Sequence, residues 1–169
     1  VSAGLVTARR RPPVVVPGAG PEPIDFGLVG DILEIRPELL LHLWAGGYTP
    51  VVNSLGIDPE GGEVFNINAD TVASAIAAAL RVDHLFLMTG VPGVLRDKDD
   101  PSTRIPRLTG EEARAAVASG VIVGGMIPKV EEALANIALG IGAVHILGAR
   151  PGALQAEAER PGSCGTVLV

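Results

Sequence analysis

The chain predicts an α/β protein, a mainly parallel sheet sandwiched between helices, on three observations. Short Val/Leu/Ile runs alternate with alanine-rich segments of helical length. Aromatic residues are only 3% while apolar residues reach 47%, so the core must be Val, Leu, Ile and Ala. That is the composition of strands buried under helices. Glycine and proline, 22 and 14 residues, fall between the periodic segments and mark tight connections, not a low-complexity tract.

The elements follow in order. Structure begins at Leu5–Arg9, after which Pro12, Pro13, Pro17, Pro21 and Pro23 rule out a helix up to residue 25. Ile32–Ile35 reads as a short strand. Pro37 suits the first helical position and Glu38 favours the helix dipole, so Pro37–Ala45 is predicted helical and closed by Gly46-Gly47. Tyr48–Asn53 is predicted as a strand ending in a Gly-rich loop, Gly56–Gly62. Thr71–Leu80 reads as a helix and His84–Met88 as a buried strand, followed by a turn-rich stretch, Gly90–Pro106, with exposed charges at Arg96–Asp100. Thr109-Gly110-Glu111-Glu112 supplies a capped start for a helix to Ser119, ended by Gly120. Lys129–Leu139 is a helix, Val144–Leu147 a strand, Gly152–Glu159 a helix and Thr166–Val169 the last strand.

At 169 residues the chain can bury one proper core. Net charge is −6, with no basic stripe and few aromatic platforms, which argues against a nucleic-acid partner. A lone cysteine, Cys164, excludes an internal disulfide. No apolar run has the length of a membrane span, and Val1-Ser2-Ala3-Gly4 lacks leader character, so a cytoplasmic protein is expected. The chain starts at Val1, not Met, and enters structure at once, which is expected of a fragment of something longer.

Three constellations could carry chemistry. Asn66-Ile67-Asn68-Ala69-Asp70 places three polar side chains directly before a helix, where unsatisfied N–H groups and partial positive charge collect anions. Capping needs only one such residue, so the surplus points to ligand binding; the same spacing also fits a capped helix with two loop asparagines. In Gly124-Gly125-Met126-Ile127-Pro128-Lys129 two glycines permit close backbone approach, and Lys129 opposes the helix dipole unless an anion is present. A surface lysine after a turn fits equally, and the G-K-[ST] ending of a Walker loop is missing. Thr89-Gly90-Val91-Pro92-Gly93-Val94-Leu95 follows a buried strand at its carboxyl end, a resting place for a nucleotide or a plain turn.

Other features are read as structural. Gly18-Ala19-Gly20 is followed by prolines where a dinucleotide-binding helix should begin. His42, His84 and His145 lack metal-ligand spacing. Cys164 has no identifiable base, and Arg9-Arg10-Arg11 is a short solvated turn.

In order and spacing these constellations resemble the acetylglutamate kinases of the amino acid kinase family, from about Phe26 to the end. The segments Gly27–Asp31, Pro37–Leu40, Tyr48–Val52, Asn66–Asp70, Val91–Leu95, Gly124–Lys129, Val144–Ile146 and Gly165-Thr166 carry the resemblance. It implies the carbamate kinase-like fold lacking its N-terminal half. Residues 1–25 would be an irregular Pro-rich remnant of the N-terminal lobe, and 26–169 the C-terminal nucleotide-binding domain. It further implies ATP-dependent phosphorylation of N-acetyl-L-glutamate in arginine biosynthesis, with ATP and Mg²⁺ as co-substrate.

By the same resemblance Asn66 binds acetylglutamate, Asp70 organises the catalytic lysines and Lys129 touches the transferring phosphoryl group. Gly90, Val91, Pro92, Gly93, Val94, Leu95, Val121, Ile122 and Val123 line the nucleotide site. The chain departs from the family pattern at Gly90, usually Asp, and at Gly148-Ala149-Arg150, usually Asp-Gly-Arg. Near the C-terminus Glu157-Ala158-Glu159 stands where a carboxylate precedes bulky apolar residues. The Lys-x-Gly-Gly and His-Gly-Gly-Gly loops of the N-terminal half are not in this sequence, so the chain is expected to be inactive alone. A carrier-linked aminoadipate kinase of lysine biosynthesis and a non-catalytic nucleotide-binding module are the alternatives. Sheet edges left open by the missing half predict a homo-oligomer or poor solubility.

Overall fold

The computed structural model describes residues 3–169; Val1 and Ser2, which open both the leader reading and the 1–25 segment, lie outside the described residues. The chain forms two compact units, Val1–Leu80 and Arg81–Val169. This cut differs from the sequence-based one after residue 25.

The first unit holds a four-stranded sheet in the order β2-β1-β3-β4. Strand β1 (Val6–Arg10) pairs antiparallel with β2 (Gly30–Ile35), with a register shift between Thr7 and Ala8. It pairs parallel with β3 (Leu55–Ile57), which pairs antiparallel with β4 (Val64–Asn66). Between Arg11 and Ile24 only an isolated Val14–Ile24 bridge forms, as the prolines dictate. Helix α1 (Glu38–Ala45) starts one residue after Pro37 and buries Leu40. Helix α2 (Ala69–Leu80) packs against β2. Val6, Ala8, Phe65, Ile67 and Val72 form this unit's buried cluster.

The strand expected at Tyr48–Asn53 does not form. Pro50 has no N–H for a ladder, and Val51 is 97% exposed, so nothing holds the segment extended against a sheet. The pairing moves downstream into the expected loop, because Gly56 alone allows the chain to approach β1. A Cβ there would stand 2.6 Å from the Ala8 Cβ.

The second unit holds a sheet in the order β5-β7-β8-β6. Strand β5 (His84–Thr89) pairs parallel with β7 (Ala143–Gly148), which is buried along its whole length. Strand β8 (Gly165–Leu168) is antiparallel to β7 and parallel to β6 (Arg107–Leu108). Helix α3 (Gly110–Ala118) begins with the predicted capping box. The Thr109 hydroxyl accepts the Glu112 N–H while the Glu112 carboxylate accepts the Thr109 N–H. Helices α4 (Met126–Ala138) and α5 (Ala153–Glu159) pack against β7.

The α/β class stands, but both sheets are mixed where mainly parallel pairing was expected. Antiparallel neighbours arise at β1/β2, β3/β4 and β7/β8. Among the described residues no helix is long and apolar enough to cross a membrane.

The first unit also leaves apolar surface open. A groove of about 460 Å³ runs between α1 and the segment before β3, lined by Leu39, Leu43, Val51, Val52 and Leu55 among others. Trp44 and Tyr48 are exposed as well. Patches of this kind drive association. Light scattering should therefore show mass rising with concentration, and Val51→Asp should lower it. A strictly monomeric chain over a wide range would contradict this.

Candidate functional site

Strand β5 delivers its carboxyl end into a tight turn. The Thr89 hydroxyl donates to the Val91 carbonyl at 2.8 Å and accepts the Val91 N–H at 3.1 Å. Gly93 takes φ +146, a conformation that favours glycine. Val94 and Ile105 then close the loop's base, the Ile105 N–H donating to the Val94 carbonyl at 2.8 Å. A second loop faces this one within the same unit. At the end of α3 the N–H groups of Val121 and Ile122 both donate to the Ala116 carbonyl, which turns the chain towards α4.

The two loops enclose a pocket of about 490 Å³. Gly90, Val91, Gly93 and Leu95 line it from one side, and Val121, Ile122 and Val123 from the other. Pro92 and Val94 belong to the same turn but do not line the cavity, and Val94 is fully buried behind it. Gly124, Gly125 and Met126 bring the start of α4 to the pocket, and Lys129 lines it from that helix's first turns. Helix α4 begins at Met126, so Pro128 is its third residue, still within the turn where a missing N–H costs nothing. No side chain caps this end. A Cβ on Gly90, Gly124 or Gly125 would meet nothing within 4 Å, so these glycines leave open space.

Lys98 lines the pocket too, although the sequence places it in an exposed charge run. The only signal for it was nearness to the Gly-rich turn. The charged lining is thus two lysines and no carboxylate.

In the first unit Asn66 ends β4; its N–H donates to Leu28 at 2.8 Å and its side chain is exposed. Asn68 is the capping residue, its Oδ1 accepting the Thr71 N–H at 3.1 Å. Asp70 sits half-buried in the first turn of α2. Each of these two candidates, Asn66 and Asp70, is placed by its own unit's sheet and helix.

Behind the pocket lies a polar network the sequence did not reveal. Glu157 of α5 is wholly buried. Its carboxylate accepts the N–H groups of Gly162 at 2.6 Å, and of Cys164 and Gly165 at 2.8 Å, plus the His145 Nδ1–H at 2.9 Å. Burial alone would raise its pKa; the hydrogen bonds from Gly162, His145, Cys164 and Gly165 together hold it below the ordinary value. Burial keeps the His145 pKa low, against the pull of Glu157, so the imidazole is neutral. Its Nε2 then accepts from His84 Nδ1 at 3.0 Å. The two histidines are thus joined in one hydrogen-bonded chain with Glu157. The available sequence signal for Glu157 was one carboxylate on an alanine-rich helix ahead of two glycines.

The amino acid kinase family model matches residues 5–148. The chain is 53% identical over 169 residues to an acetylglutamate kinase of Sorangium cellulosum, covering 99% of this chain and 59% of that one. An acetylglutamate kinase of Symbiobacterium thermophilum is 44% identical over 149 residues, covering 88% of this chain and 50% of that one. The chain therefore spans between half and three fifths of these relatives. Among solved structures, N-acetylglutamate synthase from Neisseria gonorrhoeae superimposes with a TM-score of 0.80 at 24% identity, covering 100% of this chain and 37% of that one. Giardia carbamate kinase superimposes with a TM-score of 0.63 at 20% identity, covering 98% and 61%. These two are likenesses of fold.

The buried pair fixes the acid response. Both folded pKa values lie below the ordinary ones, 6.5 for His145 and 4.5 for Glu157. The unfolded chain therefore binds protons that the folded chain refuses. Stability is full above about pH 6.5, falls below it through His145 and falls again below about 4.5 through Glu157. Urea unfolding followed by circular dichroism across this range should show both limbs. Glu157→Gln should cost about 3 kcal/mol at pH 7, by turning an amide against buried N–H groups, and should shrink the lower limb to what Asp100 and Glu112 contribute.

Proposed function

Because the chain belongs to the amino acid kinase family, we propose that it is the nucleotide-binding part of an enzyme that phosphorylates N-acetyl-L-glutamate with ATP. The observation that carries this reading is the pocket of the second unit. Its charged lining is Lys98 and Lys129 alone, at a helix start that no side chain caps. Positive charge at the start of a helix suits phosphate oxygens. The apolar walls from Val91, Leu95, Val121 and Val123 suit a base and ribose. The acceptor identity rests on the names of the relatives at 53% identity.

In the proposed reaction a side-chain carboxylate oxygen of the acceptor attacks the γ-phosphorus. The bond from that phosphorus to the bridging oxygen breaks, and ADP leaves. A carboxylate is already deprotonated, so no general base is needed. Such transfers ask a protein for positioning and charge neutralisation. Lys129 would neutralise charge on the transferring group, Asn66 would bind the acceptor, and Asp70 keeps the organising role the family resemblance implies. Among the described residues no group of three or more His, Cys, Asp or Glu side chains is arranged to hold a metal. Mg²⁺ would be held mainly by the nucleotide's own phosphates.

Calorimetric titration with a non-hydrolysable ATP analogue and Mg²⁺ tests the reading. The chain should bind it, and Lys129→Ala should weaken binding about tenfold, the loss of one charge-assisted contact. With ATP and acetylglutamate the 169-residue chain should show no turnover. Turnover abolished by Lys129→Ala would overturn the expectation that it needs further residues. Absence of nucleotide binding would overturn the function itself.

A further inference from the structure

Thr166 has no exposure to solvent, and its hydroxyl both donates and accepts. It donates to the Ile105 carbonyl at 2.6 Å and accepts the Val94 N–H at 2.9 Å. Those two residues are themselves joined by the Ile105 to Val94 backbone bond. One hydroxyl thus closes a ring between β8 and the loop that lines the pocket. The contact is close: a Cβ on Gly93 would lie 2.7 Å from the Thr166 oxygen and 3.1 Å from its N.

The start of β8 is in turn gripped from two sides. Glu157 accepts the N–H groups of Gly162, Cys164 and Gly165. Arg104 donates to the carbonyls of Gly162, Ser163 and Gly165. Arg104 also bridges Leu95 through its backbone, so the grip returns to the pocket loop. A carboxylate takes N–H groups and a guanidinium takes carbonyls of the same four-residue segment, and Thr166 is the next residue along.

We propose that Thr166 is a positioning residue for the nucleotide loop, setting Gly93–Leu95 through Val94 while touching no ligand itself. This rests on the nucleotide reading of the pocket. A hydroxyl with one donor and one acceptor role fixes both distance and direction, whereas an apolar side chain of equal size would leave two buried backbone groups unpaired. The loop would then relax towards water, and the wall made by Gly93 and Leu95 would move.

The test compares Thr166→Val, which keeps the shape, with Thr166→Ser, which keeps the hydroxyl. ATP-analogue affinity should fall about tenfold in Thr166→Val and stay within about threefold of the parent in Thr166→Ser, as expected when the hydroxyl's two buried hydrogen bonds are removed or kept. In the parent chain the Val94 amide should exchange with deuterium far more slowly than the Val91 amide. Equal affinity in Thr166→Val and the parent would overturn the inference while leaving the nucleotide reading intact. So would a Thr166→Ser affinity as poor as that of Thr166→Val. Should Thr166→Val fail to fold, the serine variant and the exchange rates decide: fast exchange at Val94 overturns the inference. A parent chain that binds no analogue overturns the nucleotide reading, a separate result.

Discussion

The Glu157 carboxylate is the constraint on which the second unit depends. A carboxylate removed from water carries a penalty of several kcal/mol unless its lone pairs are satisfied. Here four donors converge on two oxygens, three from the backbone just before or at the start of β8 and one from His145 of β7. The requirement runs both ways. The loop must bend so that its N–H groups point inwards, and only glycine permits that bend at two points. Gly162 takes φ +83, with a would-be Cβ 2.7 Å from the Pro106 carbonyl. At Gly165 a Cβ would lie 2.7 Å from the Ile146 carbonyl. The arrangement needs a charge, two glycines and a neutral imidazole together.

From that hub the rest of the unit can be built outwards. With the start of β8 fixed, the strand runs antiparallel to β7 and presents its other edge to β6. The fully buried β7 sits between β8 and β5, so the carboxyl end of β5 emerges beside the pinned segment. Gly148 closes this corner: a Cβ there would lie 3.3 Å from the Val91 carbonyl. The pocket lies at the strand's carboxyl end, the usual ligand position in α/β sheets, although this sheet is mixed. What matters for that placement is the parallel β5/β7 pair and the helices that follow, not uniform strand direction.

Much of this was legible, and the failures have physical causes. Helices carry their boundaries locally, in Thr109 with Glu112, in Pro37 and in the glycines that follow, so their positions were readable to within a few residues. The short strands Leu55–Ile57, Val64–Asn66 and Arg107–Leu108 were not, because three residues or fewer carry no period. Their extended state comes from partners distant in sequence. The same distinction divides the pocket. The Gly-rich turn and the start of α4 announce themselves by composition. Lys98 and Glu157 owe their roles to where the chain carries them, one to the cavity and the other to the core.

The segment Asn66–Asp70 illustrates how structure changes the weight of a motif. Three polar residues before a helix exceeded what capping requires, and each could have been the cap. The geometry assigns that task to Asn68, whose side chain accepts the Thr71 N–H. Capping therefore no longer explains Asn66, which faces solvent at the end of a strand, nor Asp70, which lies inside the first turn. A carboxylate in a helix's first turn is favourable by the dipole alone, so Asp70 retains a structural account. Asn66 has no such account in its side chain. Phe65 and Ile67 on either side are buried, which fixes the strand's register and turns Asn66 outwards. Asn66 enters the fold through its backbone, by its N–H to the Leu28 carbonyl and its pairing with Leu55.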